Sequence, residues 1–175
     1  MFNRFTLPKY DTLEQYEGRG NYALKKYYQF PYSFFYKHKL KMIVNLMHEK
    51  YKNILDFGCG PGIFTPELKR HAFFVIGFEK GDPINPLWKF DCIVCASVLE
   101  FCELEPTLIT LKRLLNPKGV LLIASPMKNK ITSLYLKENV RHHHDKILSA
   151  VSKVFKLREY HTWLGLYFSI RATND

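Results

Sequence analysis

Apolar residues along this chain follow a helical spacing in some segments and form short continuous runs in others. The clearest helical face consists of Leu40, Ile43, Val44 and Met47. Their i, i+3, i+4, i+7 spacing predicts an amphipathic helix in the segment 21–50, which Pro31 interrupts. Further helices are predicted over 64–70, 103–115 and 145–155.

Four short apolar runs lie between or beside these helices, over 53–57, 73–78, 90–96 and 120–124. Continuous runs of this length are typical of strands that are buried on both faces. Two more strand candidates, 156–163 and 166–172, meet at Gly165 and indicate a hairpin. The alternation predicts an α/β fold, a Rossmann-like three-layer sandwich whose mostly parallel sheet ends in a C-terminal antiparallel hairpin.

The length and composition fit one globular domain. The chain has 175 residues, of which 47% are hydrophobic. We expect a single domain over 1–175, with a helical cap or lid over 1–50 and the Rossmann-like core over 51–175. No apolar stretch reaches the roughly 20 residues that span a bilayer, and the N-terminus does not resemble a signal peptide, so we expect a cytoplasmic protein.

A glycine-rich turn follows the first predicted strand. Gly58, Gly60 and Gly62 alternate with other residues, whereas dinucleotide sites use GxGxxG. Asp56 precedes the first glycine by two residues, and an acid there would repel a pyrophosphate. It suits a ligand with an ammonium and a sulfonium group, as in S-adenosylmethionine. Glu79 ends the next strand, where it is placed to accept hydrogen bonds from ribose hydroxyls.

Four segments together resemble one known family, the class I S-adenosylmethionine-dependent methyltransferases. The segments are 54–62, 75–79, 90–100 and 114–123. The chain is most similar to the ubiquinone-biosynthesis-like and other small-substrate branches (types 11 and 23), over about 40–125. The resemblance implies a seven-stranded sheet and S-adenosylmethionine bound along the glycine loop.

The same resemblance implies roles for individual residues. The loop of Gly58, Cys59, Gly60 and Gly62 would line the methionine and ribose, and Asp56 would act near the ammonium.

Three further residues are carried over in the same way. Glu79 would bind the ribose, Ala96 would offer backbone to the methionine end, and His38 would contact the cofactor carboxylate.

The chain departs from the family pattern after Glu79. Only ten residues separate Glu79 from Phe90, which is too short for a full crossover of a dozen or more residues. We therefore expect the third strand, at the sheet edge, to be missing or shortened. Asp82 is the candidate partner for adenine, although an Asp before Pro83 also suits a plain turn.

Two clusters of metal-ligand residue types do not predict a metal site. Cys92 and Cys95 have CxxC spacing but lie within a buried apolar run. Three consecutive histidines, His142 to His144, point in different directions on any regular backbone. We predict no metal and keep His143 as a candidate general base.

The formal net charge of +10 leaves the partner open. The leading hypothesis is direct transfer of a methyl group to an oxygen, nitrogen or carbon nucleophile of a small or medium-sized acceptor. The charge also permits methylation of RNA or protein. A non-catalytic S-adenosylmethionine-binding partner subunit is a further alternative, because no universal catalytic residue is evident.

Overall fold

The computed structural model describes residues 30–79, 82–133 and 142–175. Its helices are α1 (Tyr32–Asn45), α2 (Thr65–Leu68), α3 (Leu104–Leu114), α4 (Lys130–Ser133) and α5 (His144–Val154). Its strands are β1 (Tyr51–Phe57), β2 (Ala72–Phe78), β3 (Phe90–Ala96), β4 (Leu115–Pro126), β5 (Lys156–Trp163) and β6 (Tyr167–Thr173). The first part of the predicted cap, residues 1–29, lies outside the described residues. The division into cap and core stays a prediction.

The strands form one six-stranded sheet in the order β2-β1-β3-β4-β6-β5. β1 pairs in parallel with β2 and β3, and β3 pairs in parallel with β4. β6 is antiparallel to both β4 and β5, which confirms the predicted hairpin. The register pairs Phe57 with Cys95 and Ala96 with Ala124, so the carboxyl ends of three central strands lie side by side. Ligands bind at this edge of open α/β sheets.

Helices cover both faces of the sheet, as the continuous apolar strands require. One apolar core joins α1 and α2 to the sheet through residues such as Ile43, Leu68 and Val94. The other joins α3 and α5 to the opposite face, through residues such as Leu108 and Val151. The three-layer α/β/α architecture is therefore confirmed.

The sheet ends at β2, where the sequence predicts a missing strand. Within the described part of the connection to β3, residues 82–89, there is neither helix nor strand. Phe73 and Phe74 of β2 remain 78% and 63% exposed, because no crossover helix of the described chain covers them. The shortened edge is confirmed.

Two predicted element boundaries are wrong. The helix over 64–70 is a single turn, α2, and the strand predicted over 120–124 begins five residues earlier, at Leu115, so that 116–119 lies inside β4. Asn116 donates a hydrogen bond of 2.7 Å to Asp91, and the β3–β4 register shifts next to that residue. Lys118 takes a φ of +64°. Residues that usually form turns therefore lie in an irregular part of β4 here, because the Asn116 side chain is hydrogen-bonded to the neighbouring strand.

Candidate cofactor and acceptor site

The glycine loop lies directly after β1, at the carboxyl edge of the sheet. Gly58, Gly60 and Gly62 have φ values of +73°, +52° and +74°. Residues other than glycine rarely adopt such positive φ values. The backbone N–H groups of Gly58 and Cys59 donate to the carbonyl of Phe78, at 2.8 and 3.1 Å. The loop is therefore held against the end of β2.

Gly58 and Gly60 are needed for different reasons. A Cβ at Gly58 would lie 2.4 Å from the side chain of Val98, so this glycine lets the loop pack against the segment after β3. A Cβ at Gly60 would meet no atom of the described chain within 4 Å. The backbone of Gly60 thus borders open space, in which a ligand can lie against it.

Glu79 is joined to the loop by a direct contact. Its Oε2 accepts a hydrogen bond of 2.6 Å from the backbone N–H of Gly60. Asp82 accepts a hydrogen bond of 2.8 Å from the backbone N–H of Glu79 and is exposed. A carboxylate has about four lone-pair positions, so Glu79 can hold the loop and still accept from a ligand hydroxyl.

Asp56 is almost fully buried beneath the loop. It is 2% exposed, and its Oδ2 accepts a hydrogen bond of 3.1 Å from Thr65 at the start of α2. Burial raises the pKa of Asp56 to about 7, although the Thr65 hydroxyl opposes the rise. The carboxyl therefore changes charge near neutral pH, where a cationic ligand would favour its ionised form.

The end of β3 carries a strained residue next to Ala96. Ser97 has a φ of +56°, and its backbone N–H donates to the carbonyl of Ala124 at 2.9 Å. Non-glycine residues in this region are costly and cluster at functional sites. Ala96 and Ser97 are both half-buried, beside Val98 and so beside the glycine loop.

A buried polar cluster around Ser97 was missed by the sequence analysis; it consists of Lys39, Ser97, Glu100 and Ser125. Lys39 Nζ donates to Ser97 Oγ at 2.7 Å. Ser125 Oγ donates to Glu100 Oε2 at 2.9 Å. Lys39, Glu100 and Ser125 are at most 4% exposed.

Burial shifts the two charged members of the polar cluster toward neutrality. It lowers the pKa of Lys39 to about 8, against the opposing charge of Glu100. It raises the pKa of Glu100, and the charge of Lys39 and the Ser125 and Ser97 hydroxyls oppose that rise. Lys39 Nζ also lies 4.5 Å from the ring centre of Tyr36, which favours its charged form.

His38 lies in an aromatic cluster formed by Phe34, Phe35, His38, Trp163 and Tyr167. Its ring stacks on Trp163 with the ring centres 4.1 Å apart, and its Nδ1 is 3.0 Å from the carbonyl oxygen of Phe34. The predicted contact of His38 with a cofactor carboxylate stays a prediction.

The three consecutive histidines take different positions at the start of α5. His142 Nε2 lies 3.0 Å from the Cys102 carbonyl oxygen, and His144 lies 2.8 Å from Asp145. His143 is the N-cap residue of α5, and partial burial with the nearby Lys128 charge lowers its pKa. Its role as a general base stays a prediction. Among the described residues, no group of three or more His, Cys, Asp or Glu side chains could hold a metal ion.

Comparisons with known proteins agree with this geometry. N-methyltransferase NodS from Bradyrhizobium japonicum WM9 superposes with a TM-score of 0.65 at 17% identity, covering 80% of this chain and 96% of that one. Its complex with S-adenosyl-L-homocysteine gives 0.61 at 16%, covering 82% and 87%. A possible histamine N-methyltransferase from Thermotoga maritima gives 0.59 at 18%, covering 82% and 90%. No curated protein matches the sequence.

A protein-family comparison matches residues 32–166 to the family described as "Methyltransferase domain". The match covers most of the described chain, including the glycine loop, the polar cluster and the start of the hairpin. No helix of the described part is long and apolar enough to cross a membrane. The chain therefore belongs to the S-adenosylmethionine-dependent methyltransferases, and S-adenosylmethionine is its cofactor.

Proposed function

We propose that this enzyme methylates an oxygen, nitrogen or carbon nucleophile of a small or medium-sized acceptor. The observation that carries the proposal is the open space beside Gly60, at a loop held by Glu79. Exposed backbone groups of a glycine loop and one carboxylate beside them suit a nucleoside with an amino-acid tail.

The residues around the loop fit the chemical groups of the cofactor. Glu79 offers carboxylate oxygens to vicinal ribose hydroxyls, and buried Asp56 offers negative charge to the ammonium end. Gly58, Cys59, Gly60 and Gly62 would provide backbone along the methionine and ribose. The half-buried backbone at Ala96 faces the same edge, and exposed Asp82 is placed for the adenine side.

The chemistry asks little of the protein beyond placement. S-adenosylmethionine supplies a methyl group on a positively charged sulfur, which is already a good leaving group. The protein residues must hold the acceptor in line with that methyl group and keep water out. The strained turn at Ser97 and the helix α1 stand at the edge where the acceptor would enter.

The size of the acceptor is supported by two observations. One of the proteins superposed on this chain is described as a possible histamine N-methyltransferase, and histamine is a small molecule. The polar groups next to the loop are also buried and few, which suits one functional group of a small molecule. The net charge of +10 favours the alternative of a nucleic-acid or protein acceptor.

A labelling experiment distinguishes these acceptors. The purified protein would be incubated with methyl-tritiated S-adenosylmethionine and, separately, with small-molecule, RNA and protein fractions of a cell extract. We expect label in the small-molecule fraction, at a rate that changes little between 50 and 200 mM salt. Label in RNA or protein, with a steep loss at high salt, would contradict the proposal. Cofactor binding without label in any fraction would instead support the partner-subunit alternative.

A further inference from the structure

The polar cluster lies between the glycine loop and the aromatic cluster. Ser97 directly follows β3, and the next residue, Val98, contacts the glycine loop. On the other side, the sheet register pairs Pro126, the residue after Ser125, with Tyr167 of the aromatic cluster.

The hydrogen bonds of the cluster have a direction. The ammonium of Lys39 can only donate, so it occupies a lone pair of Ser97 Oγ. The proton of the Ser97 hydroxyl is then available to an acceptor. Glu100 lies near it, because Ser97 is hydrogen-bonded to Ala124 and the next residue, Ser125, is hydrogen-bonded to Glu100. Glu100 Oε2 is taken by Ser125, whereas its buried Oε1 accepts no hydrogen bond of ordinary geometry from the described residues.

A carboxylate buried in this way can take up a proton. Burial makes Glu100 a stronger base than an exposed carboxylate, and Ser97 is the half-buried member that can reach a bound molecule. The positive charge of Lys39 on α1 lowers the pKa of Glu100. Cys95 on β3 also interacts with Glu100, but burial raises the pKa of its thiol and keeps it neutral. The backbone N–H of His142 donates to the backbone carbonyl of Glu100 at 3.3 Å and does not contact its carboxylate.

We propose that Ser97 and Glu100 accept the proton lost by the methyl acceptor, and that the acceptor is a planar aromatic molecule with a hydroxyl or amine at Ser97. This proposal rests on the proposed function. The ring would lie against the aromatic cluster, where the centres of Phe34 and Trp163 are 5.8 Å apart and Phe34 is 42% exposed.

The methyl transfer and the proton transfer take place between named atoms. The acceptor oxygen or nitrogen forms a bond to the methyl carbon with its lone pair, the carbon–sulfur bond breaks, and its electron pair stays on sulfur. The acceptor proton passes to Ser97 Oγ, and the hydroxyl proton of Ser97 passes to Glu100. Glu100 returns the proton to water between turnovers. Lys39 and Ser125 are positioning residues in this scheme.

The test uses the full-length protein, tritiated S-adenosylmethionine and two matched sets of acceptors. Phenols and anilines lose a proton when methylated, whereas pyridines do not. We expect phenols or anilines to be methylated and pyridines not. Glu100→Gln should lower kcat about a hundredfold, with KM for the acceptor and affinity for S-adenosylhomocysteine nearly unchanged. Glu105→Gln, on the exposed side of α3, is the matched control.

The pH profile separates proton transfer from a structural role. In the wild type, kcat should fall on the acid side as Glu100 becomes protonated, and Glu100→Gln should lack this limb. Lys39→Met removes a charge that lowers the pKa of Glu100, so the limb should move to higher pH. Lys37→Met, at an exposed position of α1, should leave the limb in place.

Three results would overturn the proposal: methylation of pyridines as fast as phenols, full activity of Glu100→Gln, or no methylation of either set by a protein that binds S-adenosylhomocysteine. If Glu100→Gln does not fold, as judged by circular dichroism, Ser97→Ala gives the same comparison, because it keeps the backbone and the buried charges. Failure of the wild type to bind S-adenosylhomocysteine would instead refute the proposed function itself.

Discussion

The Asp56 carboxyl shows how one buried residue connects the sequence to a measurable property. It is 2% exposed and holds one hydrogen bond, from Thr65, among the described contacts. Because burial penalises its charged form, its pKa lies at about 7. A bound ammonium group would compensate for that penalty, so binding and ionisation of Asp56 should be linked.

We therefore predict that the affinity for S-adenosylmethionine depends on pH through Asp56. Below the pKa the carboxyl must lose a proton before it can attract the cation, so affinity should fall about fivefold between pH 7 and pH 6. Calorimetry over pH 6–8 measures this, and Asp56→Asn should give a flat profile at reduced affinity. Thr65→Val removes the hydrogen bond that lowers this pKa and should move the midpoint to higher pH. An unchanged wild-type affinity across this range would argue against an Asp56 contact.

The arrangement of Asp56, the glycine loop and Glu79 could be predicted from the sequence, but the polar cluster could not. Asp56, the glycines and Glu79 are separated by fixed distances along one strand–loop–helix–strand unit, which sequence spacing reports directly. Lys39 and Ser125 come from α1 and β4, and only the tertiary fold brings them to Ser97 and Glu100. Lysine on an amphipathic helix usually reaches solvent, so its burial leaves no signal in the pattern.

At the scale of the elements, the turn after β1 is fitted closely to the turn after β3. A Cβ at Gly58 would be 2.4 Å from Val98 Cγ2 and 2.7 Å from Val98 Cβ, which is a severe steric clash. Gly60 and Gly165 have similar positive φ values but open surroundings. These three glycines therefore separate the cost of backbone strain from the cost of overpacking.

We predict that Gly58→Ala destabilises the protein more than Gly60→Ala or Gly165→Ala. All three pay for a side chain at positive φ, about 1–2 kcal/mol, and Gly58→Ala adds about 1–3 kcal/mol of overpacking. Urea denaturation gives the three free energies of unfolding. Equal losses of unfolding free energy in the three variants would contradict the close packing of Gly58 against Val98.

Element boundaries were predicted less well than element types. Strand and helix alternation gave the correct class because buried parallel strands are continuously apolar, as in Cys92–Cys95. The segment 116–119 contains Asn, Pro and Gly and reads as a turn, yet it joins β4 because Asn116 bonds to Asp91 and the Asn174 side chain donates to the Asn116 carbonyl. Such long-range hydrogen bonds override local turn preference.

At the scale of the whole molecule, the sheet formed by the described residues lacks the family's third strand but keeps the carboxyl edge of β1, β3 and β4. The strand order β2-β1-β3-β4-β6-β5 leaves β2 at the border, and Glu79 at its end still reaches the glycine loop. The loss therefore removes covering structure beside β2 and leaves the loop contacts intact. A shortened member of the family can in this way keep the loop at which we propose that the cofactor binds.

The central claim, that this loop and Glu79 bind the cofactor, is tested most directly by calorimetry with S-adenosylhomocysteine. We predict that Gly60→Arg, whose side chain would fill the open space, abolishes binding. Glu79→Ala should weaken it about ten- to hundredfold, as expected for loss of charge-assisted hydrogen bonds. Gly165→Arg and Glu105→Ala control for backbone strain and loss of charge, and should bind as the wild type does. Unchanged affinity in both folded site variants would contradict the account.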